Sequence, residues 1–144
     1  MKDPAVAIKD YLVAQSQGVF PPAAPWGIAI GSWPMQQDQI ILVNHTGGRN
    51  PFPHLLYNEP SVQIAVRGAK SGYQAARTKI RQIVNVMLGF TSQTLQGDVY
   101  RSCNQIGDVA YLGEDDNTRP ILVANFWFTV LPAAEAGGHR VAIT

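Results

Sequence analysis

The residues suited by type to catalysis or metal binding are three histidines, His45, His54 and His139, a single cysteine, Cys103, and the acidic run Glu114-Asp115-Asp116. Nucleophilic catalysis needs a Ser, Cys or Thr beside a base and an orienting group. All three histidines fall in loop-like or tail sequence with no nucleophile motif around them, so each reads as an exposed polar loop residue. Thr46-Gly-Gly-Arg49 has the glycine pair of a phosphate-gripping loop, but it lacks the Lys-Ser/Thr ending and does not lead from a strand into a helix. The acidic run lacks the alternating acidic positions, central glycine and distal glutamate of a calcium loop, and reads as a solvated hairpin turn. Cys103 alternates into a strand as a small buried hydrophobe. It has no partner for an intramolecular disulfide, and no Cys/His cluster has zinc-ligand spacing. Catalytic, cofactor and metal residues are accordingly assigned to none, and the reading is of a protein that is not an enzyme.

Charge order is more telling than charge total. Arg67, Lys70, Arg77, Lys79 and Arg81 fall in a stretch, 60–97, that holds no Asp or Glu, whereas 98–116 carries Asp98, Asp108, Glu114, Asp115 and Asp116 against Arg101 alone. Two patches of opposite sign in one chain allow head-to-tail pairing of copies, with charge guiding register more than affinity. Pairing of the same charges within the chain is the alternative. Arg is over-represented at interfaces, which makes Arg49, Arg67, Arg77 and Arg81 the candidate contacts with other protein.

The elements that must position these residues can be read from punctuation and periodicity. Asp3-Pro4 opens a helix with a capping carboxylate and a proline at its first position, and Gly18 closes it, giving residues 4–17. Trp26-Gly-Ile-Ala-Ile30 and Gln39-Ile-Ile-Leu-Val-Asn44 read as strands that pair as a hairpin across turn-rich 31–38. Residues 45–60, with Gly47-Gly48 and three prolines, read as a long loop, and loops of that length are usually functional or disordered. In 61–67, Val62, Ile64 and Val66 alternate with Ser61, Gln63 and Arg67 as in a half-buried strand. Ser71 then caps a helix to Leu88 in which Tyr73, Ala76, Ile80, Ile83, Val84 and Met87 recur at helical spacing, with Gly89 as terminator.

The last third reads as strands over 99–106 and 109–112 with a bend at Gly107, a polar turn over 113–119, and a long strand over 121–131. One face of that long strand, Leu122, Ala124, Phe126, Phe128 and Val130, is wholly apolar; the other carries Asn125, Trp127 and Thr129. The expectation is an α+β domain over 1–131, with a largely antiparallel sheet and two helices packed on one face, followed by a flexible C-terminal arm over 132–144. Trp127, on the amphipathic face, joins the arginines as a candidate contact.

At 144 residues and 15.7 kDa the chain is sized for one core. Only 15% of residues are charged, against a typical share of about 25%, which leaves a weakly charged surface suited to contact with other protein. A net charge of +1 removes the basic excess on which non-specific nucleic-acid affinity depends. The start, Met1-Lys2-Asp3, has no secretory signal pattern, and 121–131 is interrupted by Asn125 and Thr129, well short of the roughly 20 residues of a membrane-spanning helix. No membrane partner is expected.

Pro60-Ser-Val-Gln-Ile-Ala-Val-Arg-Gly68 with the helix after it, then Leu112-Gly-Glu-Asp-Asp-Asn-Thr-Arg119 leading into Ala124-Asn-Phe126, resembles the tail terminator proteins of long-tailed bacteriophages, also known as minor capsid or tail completion proteins. The resemblance extends from the first helix, through Asn44-His45-Thr46-Gly47-Gly48, to about Leu131. It departs at Thr118, where the family pattern has glycine before arginine. The resemblance implies a structural virion protein of the tail and neck, assembled in the host cytoplasm. It would form a homo-oligomeric ring, typically a hexamer, at the head-proximal end of the tail tube, ending tube growth and joining tail to head. Its implied partners are the tail tube protein, a head-completion or connector protein, and genomic DNA passing through the lumen without specific binding. A head-closure or connector subunit of the neck is the neighbouring reading. A small cytosolic enzyme or ligand-binding domain, with 45–60 as a lid, is the reading from a different class.

Overall fold

A computed structural model describes residues 1–23 and 25–143, so Thr144, the last residue of the expected arm, lies outside the described residues. The chain runs through α1 (Pro4–Ala14), β1 (Gly27–Ile30), β2 (Ile40–Gly48), β3 (Pro60–Arg67), α2 (Tyr73–Leu88), β4 (Gln93–Leu95), β5 (Asp98–Glu114) and β6 (Pro120–Leu131). The strands form one six-stranded sheet in the order β1-β2-β3-β6-β5-β4, antiparallel except at β1-β2. The α+β architecture is the expected one.

Period-2 burial builds the sheet's inner face. Val62, Ile64 and Val66 of β3 and Leu122, Ala124, Phe126, Phe128 and Val130 of β6 meet Ala5, Ile8 and Leu12 of α1 and Ile80, Ile83 and Met87 of α2 in one core, which puts both helices on the same face. Asp3 caps α1, its side chain accepting from the Ala5 amide at 2.9 Å, and Pro4 takes the first helical position. The helix stops at Ala14, three residues before the sequence expectation, because Ser16 turns into the left-handed region at φ 59°. Ser71 does not cap α2: it is itself left-handed at φ 58°, its amide donates to the Thr118 carbonyl, and Gly72 takes the cap position. Gly89 ends α2 as expected. No helix among the described residues is long and apolar enough to cross a membrane.

Three expectations are corrected. β1 and β2 do not form a hairpin; they run parallel, Gly27 opposite Ile40 and Ile30 opposite Val43. The physical reason lies in β2, where Ile40, Ile41, Leu42 and Val43 are all buried, the continuous apolar run of a strand covered on both faces. The second cover is the 31–39 connection, which crosses the outer face and lays Trp33, beside Ile121 of β6, against Ala29, Ile40, Leu42, Ala65 and Val123. The loop expected over 45–60 is shorter, because β2 runs on through Gly48 and β3 begins at Pro60. Finally, β5 is one strand that passes its bulge between Ile106 and Ala110 without ending, with Gly107 at φ 67°, and a short strand β4 precedes it that the sequence reading did not include.

The C-terminal residues lie against the 51–58 segment. Val141 bridges Leu55, Asn58 bridges Val130, and the Arg140 guanidinium donates to the Asn58 side chain at 2.8 Å and to the carbonyls of Phe52 and Leu55 at 3.3 Å. Buried Asp98 ties the two ends of the chain together, one carboxylate oxygen accepting from the Lys2 amide and the other from the Ala133 amide, both at 2.9 Å.

Candidate functional site

The outer sheet face beyond the 31–39 cover is polar and uncharged. In register across β3, β6 and β5 it shows the row Gln63, Asn125 and Ile106 and the row Ser61, Trp127 and Asn104. Neighbouring side chains satisfy one another: Gln63 donates to Asn125 at 3.2 Å, Thr46 and Ser61 share a hydrogen bond at 2.8 Å, and Ser102 donates to Thr129 at 3.0 Å. Half-buried Trp127 stands in this field.

Arg49 is brought to Trp127 by backbone geometry. The β2-β3 register shifts between His45 and Gly48, and Gly48 sits at φ 115°, where a Cβ would come within 2.3 Å of the Glu59 carbonyl oxygen. Only glycine fits that turn. The bend carries the Arg49 guanidinium to 5.1 Å from the Trp127 ring and 3.1 Å from a Glu59 carboxylate oxygen, while 72% of the Arg49 side chain stays exposed. Gly48, Arg49, Glu59, Ser61, Ile106 and Trp127 line a shallow cleft. An exposed cation stacked on an aromatic ring beside an exposed aliphatic side chain has the composition of an interface anchor.

The remaining candidates lie elsewhere. Arg67 is 3% exposed and points inward under the 31–39 crossover, donating to the carbonyls of Pro34 and Gln37 and stacking 4.9 Å from Trp33. Burial, then the nearby Arg119 charge, lowers its pKa. Arg81 grips Asp108 with two hydrogen bonds at 2.9 and 3.3 Å, which hold that carboxylate below its usual range. Arg77, half-exposed one turn earlier on α2, adds to the same field. The sequence therefore brings Arg49 and Trp127 together, groups Arg77 with Arg81, and encloses Arg67.

Two buried cations were not legible as such. Arg119, at 6% exposure, is held by Asp115 at 2.8 Å and Asp38 at 3.3 Å, so the turn after β5 is clamped as well as solvated. The spacing Asp115 to Arg119 is the signal that points to it. Lys79, on α2, is buried against Trp26, with Gln17 Oε1 at 3.4 Å as its one hydrogen-bond acceptor among the described residues, and burial lowers its pKa. Its position three residues after Ala76, on the apolar face, is the only hint.

The residues first considered for chemistry stay apart. His45, His54 and His139 are exposed, and His45 shares a 3.0 Å hydrogen bond with the Gly47 carbonyl. Cys103 packs on the edge of the main core, and burial pushes its thiol pKa up to about 12. Among the described residues no group of three or more His, Cys, Asp or Glu is placed to hold a metal ion.

No curated protein matches the chain. The profile of the family described as "Bacteriophage tail terminator protein" matches residues 11–132, from the middle of α1 to the residue after β6. A match over that share of the sequence places the whole sheet, α2 and the end of α1 within one family of structural tail proteins: the chain belongs to the bacteriophage tail terminator proteins and is a component of the phage virion.

Proposed function

We propose that this chain is the subunit of a ring, six-membered, seated on the head-proximal end of a finished tail tube, where it ends tube growth and joins tail to head. The observation that carries the reading is the family match over 11–132. The role is structural and needs no cofactor. Assembly takes place in the host cytoplasm, from copies of this chain, the tail tube protein and a head-completion or connector protein.

The surface supports this reading in two places. The Arg49, Trp127 and Ile106 cleft offers a cation, an aromatic ring and an aliphatic side chain, with Glu59 paired to the cation, on a face that otherwise shows uncharged side chains. That composition favours contact with protein. Arg77 and Arg81 form a basic strip on α2 for a neighbouring subunit or the lumen, and Arg67 supports the outer face from beneath by holding its cover. The tip of 49–59 and the arm over 132–144 reach tube or neck subunits. DNA crosses the lumen with few strong contacts, in keeping with a net charge of +1.

The test is an early stop codon in this gene in its source genome, followed by induction and negative-stain electron microscopy of the lysate. Filled heads beside unattached tails of uncontrolled length are the expected result. Tails of normal length left unjoined would move the protein to the connector, and intact virions would overturn the reading.

A further inference from the structure

Beyond residue 100, the long strand β5 forms one edge of the sheet with no other strand beside it among the described residues. β4 pairs with β5 only at 98–100, and no other strand among the described residues lies along that side of β5. None of residues 101–114 is buried. An open edge presents a row of unpaired N–H and C=O groups, a template for another strand, which proteins blunt with charge, proline or bulges. In β5 the pairing register shifts between Tyr100 and Ser102, between Ile106 and Ala110, and between Tyr111 and Gly113. What the shifts leave is 102–106, in unbroken register with β6 and therefore regular enough to accept a partner strand.

That stretch, Ser-Cys-Asn-Gln-Ile, has no charge and no proline to repel a strand. The nearest charges on either side have opposite sign, Arg101 before it and Asp108 after it. Both are exposed; Arg101 has no ion-pair partner among the described residues, and Asp108 keeps 70% of its side chain exposed while Arg81 holds it. A second copy laid antiparallel about a two-fold axis at Asn104 pairs residue 102 with 106 and 103 with 105. Each Arg101 then meets the other copy's corner at Gly107 and Asp108. A parallel copy in register would set arginine on arginine and aspartate on aspartate. Charge thus selects the antiparallel, two-fold arrangement, since like charges directly opposite are destabilising. Ile106, 47% exposed, comes to lie beside the second copy's Ser102.

We propose that the 102–106 edge pairs two-fold with the same edge of a second copy, so that the unassembled subunit associates through one sheet continuous across both. A two-fold contact uses the same patch on both copies and closes at two, whereas a ring needs a head-to-tail contact. The pairing therefore belongs to the chain before it joins a tail, and stands or falls independently of the ring.

The experiment is sedimentation of the purified full chain over a concentration series, for the wild type, Asn104→Lys, Asn104→Asp and an equimolar mixture of the two variants. The wild type is expected to move with concentration toward twice the 15.7 kDa subunit mass. Each variant alone, with like charges facing across the axis, stays at the subunit mass. The mixture, with opposite charges there, returns to the doubled mass, which a general loss of folding cannot produce. Hydrogen exchange supplies the second reading: alternate amides of 102–106 gain protection in concentrated wild-type solution and lose it on dilution. A wild type that stays at subunit mass, one that forms ring-sized particles, variants that still associate alone, or a mixture that does not recover would each overturn the proposal.

Discussion

At the residue scale, buried charge decides most. Lys79 lies on the apolar face of α2 with no ion-pair partner among the described residues, and burial lowers its pKa from the ordinary 10.5. In the window between that lowered native value and 10.5 the unfolded chain holds more proton than the native one, so stability rises with pH there. Replacing the amine with an isosteric apolar chain removes the unpaired charge: Lys79→Met is expected to gain about 1 kcal/mol at neutral pH. Urea unfolding of both proteins at neutral pH and at about pH 10 checks the sign, since the gap should narrow as the wild-type amine discharges. Arg67 behaves in the opposite way, because its guanidinium reaches two carbonyls and a Trp33 ring at once. A lysine ammonium cannot span both acceptors while stacking, so Arg67→Lys is expected to cost about 2 kcal/mol in urea unfolding. Arg77→Lys, on the half-exposed face, should stay within about 0.5 kcal/mol. Residue type alone assigns both buried cations to the surface, and only the crossover over the outer face, a tertiary feature, takes Arg67 inside.

At the element scale, legibility follows local chemistry. Asp3-Pro4 and the apolar spacing of α2 carry their own geometry, so both helices stand where the sequence puts them to within a few residues. The alternation in β3 and β6 likewise places the correct faces inward. Strand partnership is different, because 31–38 has the residues of a turn whether it reverses the chain or carries it across the outer face. The parallel choice is made by burying Ile40 and Leu42 beneath Trp33, a contact far from local. The joining of the termini is equally non-local. Asp98 accepts one backbone hydrogen bond from each end of the chain, and an amide in its place keeps one acceptor and sets an NH2 against an N–H. Asp98→Asn is expected to cost about 1–3 kcal/mol. Hydrogen exchange should show the loss as earlier opening of the Lys2 and Ala133 amides, ahead of the β3 and β6 core; uniform acceleration everywhere would mean that Asp98 acts on the whole fold instead.

At the scale of the whole molecule, the two charge blocks in the sequence meet at one ion pair among the described residues, Arg81 with Asp108. Asp108 is taken by Arg81, Asp115 by Arg119, and Asp98 by backbone amides, so of the acidic block only Glu114 and Asp116 have no partner among the described residues. On the acidic side, contacts within the subunit take up three of the five carboxylates, which leaves little acidic charge to bring copies together at long range. In the ring proposed above, contact between subunits would rest on local anchors such as Arg49 on Trp127, which the bend at Gly48 brings together. Neither sequence spacing nor composition joins those two residues; the bend at Gly48 and the β3-β6 register do. Arg49→Glu keeps the backbone but sets a second carboxylate beside Glu59 in place of the cation over the ring. Supplied from a plasmid to the stop-codon phage, this variant is expected to be made at wild-type level with an unchanged melting temperature, and to leave the titre near that of no complementation. The Arg77→Gln, Arg81→Gln pair supplies the contrast, because those arginines keep no ring or cleft in place. If Arg49→Glu restores full titre while the α2 pair does not, assembly runs along the helix strip, and the Trp127 face points away from every neighbour.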